Sequence, residues 1–136
     1  MADRGAIEQL FSDYASVIDN EDWALLEHIF VDDAVWRMEH PGNQPVEHHG
    51  IAAIKDFLPG SRAKGQPRHI FTNLRLLRQD EDSATATMYM TFAVTNGGEF
   101  GIVMTSVYTV EAVRTTSGWR FQRLTLSVDS PYREDA

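Results

Sequence analysis

From Arg68 onward the sequence alternates with a period of two, and this pattern restricts the fold more than any other feature of the chain. Ala84, Ala86, Met88, Met90, Phe92 and Val94 alternate with Thr85, Thr87, Tyr89, Thr91 and Thr95. That is the pattern of a long strand with one apolar face. Asn96-Gly97-Gly98 then gives a strong hairpin signal, and residues 100–113 read as the returning strand. Thr115-Thr116-Ser117-Gly118 turns again. Trp119 and Phe121 lie on one face of a last strand, after which the apolar residues switch parity to Leu124, Leu126 and Val128. A parity switch within one strand predicts a bulge near Gln122-Arg123 that bends the sheet. Upstream, residues 68–78 form a strand closed by the turn Gln79-Asp80-Glu81-Asp82.

The N-terminal half carries the helical period. Ile7, Leu10, Phe11, Tyr14, Val17 and Ile18 follow the i, i+3, i+4, i+7 pattern and predict an amphipathic helix over residues 4–19. Trp23, Leu26, Ile29 and Phe30 make a second, shorter helical stripe, with Asn20 or Asp19 as its N-cap. Residues 33–39 read as a short strand, followed by a turn at residues 40–45 and a brief return at Val46 to His48. Gly50 opens a third short helix, which Pro59-Gly60 ends. Helices first and long antiparallel strands after describe a single α+β domain, helices packed on one face of a curved sheet. Such a sheet encloses a concave space suited to a small molecule. The tail, residues 131–136, is expected to fray.

Charge and composition exclude several classes. Twenty acidic residues against 12 basic give a net charge of -8 with no basic run, which argues against a nucleic-acid or anionic-membrane partner. The absence of cysteine excludes disulfides, thiolate metal sites and a cysteine nucleophile. No apolar run approaches the ~20 residues of a membrane span, and Met1-Ala2-Asp3-Arg4 lacks the plan of a signal peptide. The expectation is a cytoplasmic protein that needs no cofactor, since no phosphate-binding glycine loop, G-x-S-x-G or H-E-x-x-H occurs.

The candidate chemistry lies in scattered polar residues. In Arg68-His69-Ile70-Phe71-Thr72-Asn73, unbroken alternation puts His69, Phe71 and Asn73 on one face and Ile70, Thr72 and Leu74 on the other. His69 fits either a general base or a hydrogen-bonded strand histidine. Asp19 fits either a helix cap or a partner that orients the imidazole. Tyr14 sits on the apolar stripe of the first helix with its hydroxyl directed inward, as core packing or as a donor. Trp36 could wall a pocket, as could Phe71, Met88, Phe92 and Met104. Arg123, at the expected bulge, competes with Arg120 for an inward position. Glu39, His40, Glu47, His48 and His49 match no zinc spacing, and residues 80–82 lack the glycine and distal glutamate of a calcium loop, so no metal is expected. The threonine-rich face (Thr85, Thr87, Tyr89, Thr91) suits a homodimer or higher homo-oligomer packed through the sheet.

The order of these residues from Ile7 to about Val128 resembles the SnoaL-like branch of the nuclear transport factor 2-like superfamily. Three stretches carry the resemblance: Ile7–Asp19, Asp32-Asp33-Ala34-Val35-Trp36, and His69 with Thr72-Asn73-Leu74-Arg75-Leu76. The first, second and third together look like gamma-hexachlorocyclohexane dehydrochlorinase, while the Tyr14…Asp19 spacing looks like bile acid 7α-dehydratase. Scytalone dehydratase also pairs tyrosine chemistry with a histidine. The resemblance implies a cone-shaped fold, a proton-abstracting dyad of Asp19 and His69, and a pocket tryptophan at Trp36. It also implies an arginine at Arg123. The expected lining of Trp36, Phe71, Met88, Phe92 and Met104 suggests an apolar, ring-containing substrate, to which Tyr14 would donate a hydrogen bond. The implied activity is that of a lyase, a dehydratase first. An isomerase or polyketide-type cyclase, or a non-catalytic binding module, would use the same pocket. Met88 to Thr95 contains no acidic residue or histidine, a departure from the dehydratases.

Overall fold

The computed structural model describes residues 4–131; the remainder of the tail expected to fray, residues 132–136, lies outside the described residues. Helix α1 (Arg4–Asn20) is followed by a 3-10 helix (Trp23–His28), strands β1 (Phe30–Glu39) and β2 (Val46–His49), and helix α2 (Ile51–Ser61). Strands β3 (Gln66–Gln79), β4 (Ser83–Asn96), β5 (Glu99–Thr115) and β6 (Gly118–Val128) complete the chain. The strands form one curled, unclosed sheet in the order β2-β1-β6-β5-β4-β3. All neighbours are antiparallel except β1 and β6, which run parallel. No helix among the described residues is long and apolar enough to cross a membrane.

Helix α1 forms because its apolar residues fall on one stripe. Ile7, Leu10, Phe11, Tyr14, Val17 and Ile18 are all buried, each such burial worth roughly 1.5–3 kcal/mol. Phe11 packs on Phe71 from β3 and on Phe121 from β6, at ring separations of 5.1 and 5.2 Å. The helix therefore lies across the concave face and joins the two sides of the sheet.

The helix ends differently from expectation. Glu21 adopts a left-handed φ of 60°, the Asp22 amide donates to Val17 O at 2.9 Å and the Glu21 amide to Ile18 O at 3.4 Å. This is a Schellman closure with glutamate in the position glycine usually takes. The following element is a 3-10 helix whose N-cap is Asp22, with no side-chain cap. Neither Asp19 nor Asn20 caps it, because both belong to the last turn of α1. Helix α2 also runs past its expected stop. Pro59 and Gly60 lie inside it, which is tolerated because a proline in the last turn forfeits one helical bond and the Ser61 hydroxyl donates to Leu58 O at 2.8 Å.

Four one-residue irregularities curl the sheet. On β6, Glu111 faces Arg123 while Ala112 faces Phe121, so Gln122 is the extra residue, where the parity switch placed it. On β5, Val103 is skipped between Met104 and Ile102. On β3 the register breaks twice, between Thr72 and Arg75 and between Leu76 and Arg78. Asn73 takes a φ of 62° at the first break and Leu74 becomes buried. The expected faces of β3 are thus correct through Thr72 and reversed after it. The freed Leu74 carbonyl accepts from the Arg4 guanidinium at 3.1 Å. The β4–β5 turn is a two-residue Gly97-Gly98 loop with φ of 59° and 83°, the backbone a type I′ hairpin needs.

On the outward side of β1, β2 and β6, Arg37 bonds Glu39 at 2.8 Å and Glu47 at 2.7 Å, and Glu47 also meets His49 and Arg123. The Arg37 guanidinium, with help from His49, holds the Glu47 carboxyl down at about 2. A carboxylate with a depressed folded value stabilises the fold above its unfolded value near 4.5 and loses that contribution as pH falls toward 2. Glu47→Gln removes the dependence, so its thermal midpoint should fall less than wild type's between pH 4.5 and pH 2 in circular-dichroism melts. Gly65 precedes β3 at φ 90°, and an added Cβ would stand 2.4 Å from Thr95 O. Gly65→Ala should cost about 2 kcal/mol or more of unfolding free energy in urea titrations, through strain and overpacking together.

Candidate active site

The last turn of α1 and the start of β3 meet at a carboxylate–imidazole pair. Asp19 Oδ1 lies 2.6 Å from His69 Nδ1, and Asp19 Oδ2 accepts the His69 backbone N–H at 3.0 Å. Asp19 is 6% exposed. Both carboxylate oxygens are thereby engaged by one residue. An ionised carboxylate accepts only, so Nδ1 carries a proton and the lone pair sits on Nε2. Nε2 makes no hydrogen bond among the described residues, and His69 lines a cavity of about 540 Å³ between the helices and the concave sheet.

Aromatic groups surround the imidazole. Phe92 lies 4.8 Å from it, Tyr14 meets it edge-on at 6.3 Å and Phe71 lies parallel at 6.5 Å. Trp36 on β1 donates its indole N–H to the Tyr14 oxygen at 2.9 Å, and Tyr108 on β5 hydrogen-bonds the same oxygen. Tyr14 itself lines the cavity. Burial pushes the Tyr14 hydroxyl up to about 12. Burial, followed by the negative potential of Tyr14 and Asp19, raises Tyr108 as well. Tyr14 therefore stays protonated across ordinary pH.

The structure brings His69, Asp19, Tyr14, Trp36 and Phe92 together, and Met104 lines the same wall. Phe71 supports the site from behind, against Tyr14, Tyr108 and His69. The remaining expected wall residues are corrected. Met88 is buried one pair further along β4, opposite Tyr108, and Met90 takes its place at the cavity. Asn73 is exposed, because the bulge at that position turns it out of the sheet face. Arg123 bonds Glu47 on the outward side, and Arg120 donates to Glu27 O near the 3-10 helix. The β6 residues that face the cavity are Leu126 and Val128.

Tyr108 and Arg62 are polar residues of the site that the sequence reading missed. Tyr108 shares a face with Met104 and Ser106 by simple alternation, a signal present in the sequence. Arg62 lines the cavity from the loop after α2 and gave no signal at all. Its guanidinium donates to Ile18 O at 2.9 Å, Asp19 O at 2.9 Å and Gly65 O at 3.5 Å. Gln66 adds a bond to Asp19 O at 3.1 Å. These donors satisfy carbonyls that the end of α1 leaves free, and they put positive charge beside a carboxylate at the negative end of a helix.

The five potential ligands around the β1–β2 turn divide between two places. Glu39, Glu47 and His49 join the arginine network, His40 bonds Ser130 O at 3.2 Å and lines the cavity, and His48 stacks on Phe57 at 3.9 Å. No group of three or more His, Asp or Glu side chains among the described residues is placed to hold a metal ion.

A family model, the SnoaL-like domain, matches residues 1–125. The chain belongs to the SnoaL-like domain family. Its solved relatives share the fold. A proposed aromatic ring hydroxylase from Novosphingobium aromaticivorans is 28% identical, with a TM-score of 0.80 over 95% of this chain and 90% of that one. An NTF2-like protein with a cystatin-like fold from the same organism is 24% identical, with a TM-score of 0.78 over 93% of this chain and 81% of that one. LinA, a dehydrochlorinase, is 23% identical, with a TM-score of 0.77 over 96% and 90%. No curated protein matches the chain at a significant level. SnoaL-like domains bind or transform small molecules, and lyases and isomerases occur among them.

The buried phenol can be observed directly. In an alkaline spectrophotometric titration of the folded protein, Tyr14→Phe should remove absorbance change near pH 12 and leave the change around pH 10 intact. Loss of signal near pH 10 would place the Tyr14 hydroxyl in water.

Proposed function

We propose that the protein is a cofactor-independent lyase, a dehydratase acting on an apolar, ring-containing small molecule. His69 is the base and Asp19 its partner. The observation that carries this reading is the imidazole itself, held through Nδ1 by a buried carboxylate while Nε2 is left for a substrate in an apolar cavity. Nε2 takes a proton next to an activating group, and the imidazolium that forms is stabilised by Asp19 at 2.6 Å. Tyr14, held by Trp36 and Tyr108, donates a hydrogen bond to the developing oxyanion or the departing hydroxyl. The imidazolium returns its proton to that hydroxyl, so water leaves and neutral imidazole is restored. The likeness to a dehydrochlorinase and to a proposed ring hydroxylase supports a ring substrate. The wall residues Trp36, Phe57 and Phe92 support the same.

One observation favours a second reading. No acidic side chain or histidine stands on β4 between Met88 and Thr95 to serve a leaving group, as an isomerase or polyketide-type cyclase would require only the proton transfer. Product mass separates the two: loss of water marks the lyase, and an unchanged mass marks the isomerase or cyclase. Under either, His69→Ala and Asp19→Asn should each lower turnover of a hydroxylated cyclic ketone by ~10²-fold or more. Near-wild-type turnover in either variant would sink the dyad, and binding without turnover in wild type would leave a binding module.

A further inference from the structure

The cavity has a charge opposite to that of the chain around it. The protein carries 20 acidic and 12 basic residues, yet among the described residues no Asp or Glu lines the cavity. Its charged or titratable cationic groups are Arg62, His40 and His69. Asp19 stands behind His69 with both oxygens bound to that residue. In a chain with so many carboxylates, a large wall without one is a specific feature rather than the average surface.

Arg62 is the permanent cation of this wall. It makes no ion pair among the described residues, and its partners are three backbone carbonyls. Carbonyl oxygens satisfy N–H groups without neutralising the charge. A guanidinium has five N–H donors, so two remain after those three bonds. Its anchor to the end of α1 fixes the group next to the dyad. Arg62 lines the cavity, and a guanidinium with N–H groups to spare suits a carboxylate in charge and in hydrogen-bonding capacity.

We infer that the substrate is an anionic ring compound, a carboxylate whose charged group meets Arg62 while its ring lies among Trp36, Phe57 and Phe92. This rests on reading the cavity as the substrate site, and it names the class of molecule that site selects. The partly enclosed position protects the interaction from full screening by salt. Arg62 thereby has two duties: it holds the carbonyl of Asp19, and it reads the substrate's charge.

Isothermal titration with 2-naphthoate and its neutral counterpart 2-naphthamide tests this without turnover. Wild type should bind naphthoate ~10-fold or more tightly than naphthamide, the scale of one charge-assisted hydrogen-bonded contact. Arg62→Gln should abolish that preference, read as the ratio of the two affinities within the variant, with circular dichroism checking that the variant is folded. Arg62→Lys keeps the charge without the fork and should retain part of the preference. Equal affinities in wild type, a preference that survives Arg62→Gln, or no binding of either probe would overturn the inference. Loss of His69-dependent turnover with the naphthoate preference intact would sink the proposed reaction alone. Turnover of neutral substrates only, with no naphthoate preference, would sink this inference alone.

Discussion

The contact between Asp19 and His69 is the point from which the rest of the site is laid out. One carboxylate accepts both the ring N–H and the backbone N–H of the same residue, so it fixes the imidazole's direction and its tautomer together. Fifty residues of chain separate the two partners. The contact forms only because α1 stops where it does. The Schellman closure at Glu21 and Asp22 leaves Asp19 in the last turn, its carboxylate directed at β3 rather than at its own helix. Such a placement is unfavourable by itself, since a helix C-terminus repels an anion. Arg62, Gln66 and the two N–H groups of His69 offset that penalty from outside the helix.

The aromatic groups extend this arrangement. Tyr14 is one helical turn from Ile18 and faces the same cavity, so the imidazole and the phenol are held by neighbouring turns of one helix and its contact strand. Trp36 and Tyr108 come from β1 and β5 and converge on the Tyr14 oxygen. Three elements thus hold one hydroxyl. A donor fixed in this way can stabilise charge without reorganising, whereas a phenol free to rotate in water would not.

Much of the fold was legible because period and burial coincide. All six residues of the α1 stripe are buried, with Asp19 beside them, and the parity switch after Phe121 marked a bulge near Gln122-Arg123 that falls at Gln122. The break at Asn73 was hidden by its own surroundings. Leu74, Leu76 and Leu77 put apolar side chains on both parities, so the alternation no longer distinguished a bulge from an exposed leucine. Leu77 is indeed 51% exposed. The dyad types were visible in the residues, but their contact is tertiary and rests on the resemblance until the strands are placed. Arg123 was assigned inward because bulges re-aim side chains. Here the bulge leaves Leu124 and Leu126 inside and the arginine with Glu47 outside. Arg62 could not be foreseen, since a loop arginine has no periodicity to betray its partners.

The parallel pairing of β1 with β6 gives the domain a particular order of assembly. Trp36 is placed by a strand whose partner residue, Leu124, lies far along the chain, on β6. The β3–β4–β5 meander can close through local hairpins, but β1 has only the short β2 until β6 arrives between β1 and β5. Pairing across so many residues carries a large loop-closure penalty and slows folding relative to hairpin formation. The two sides of the cavity are therefore joined late. During synthesis the aromatic residues that will line it remain exposed until β6 emerges, and in that interval the nascent chain has the greatest need of protection from aggregation.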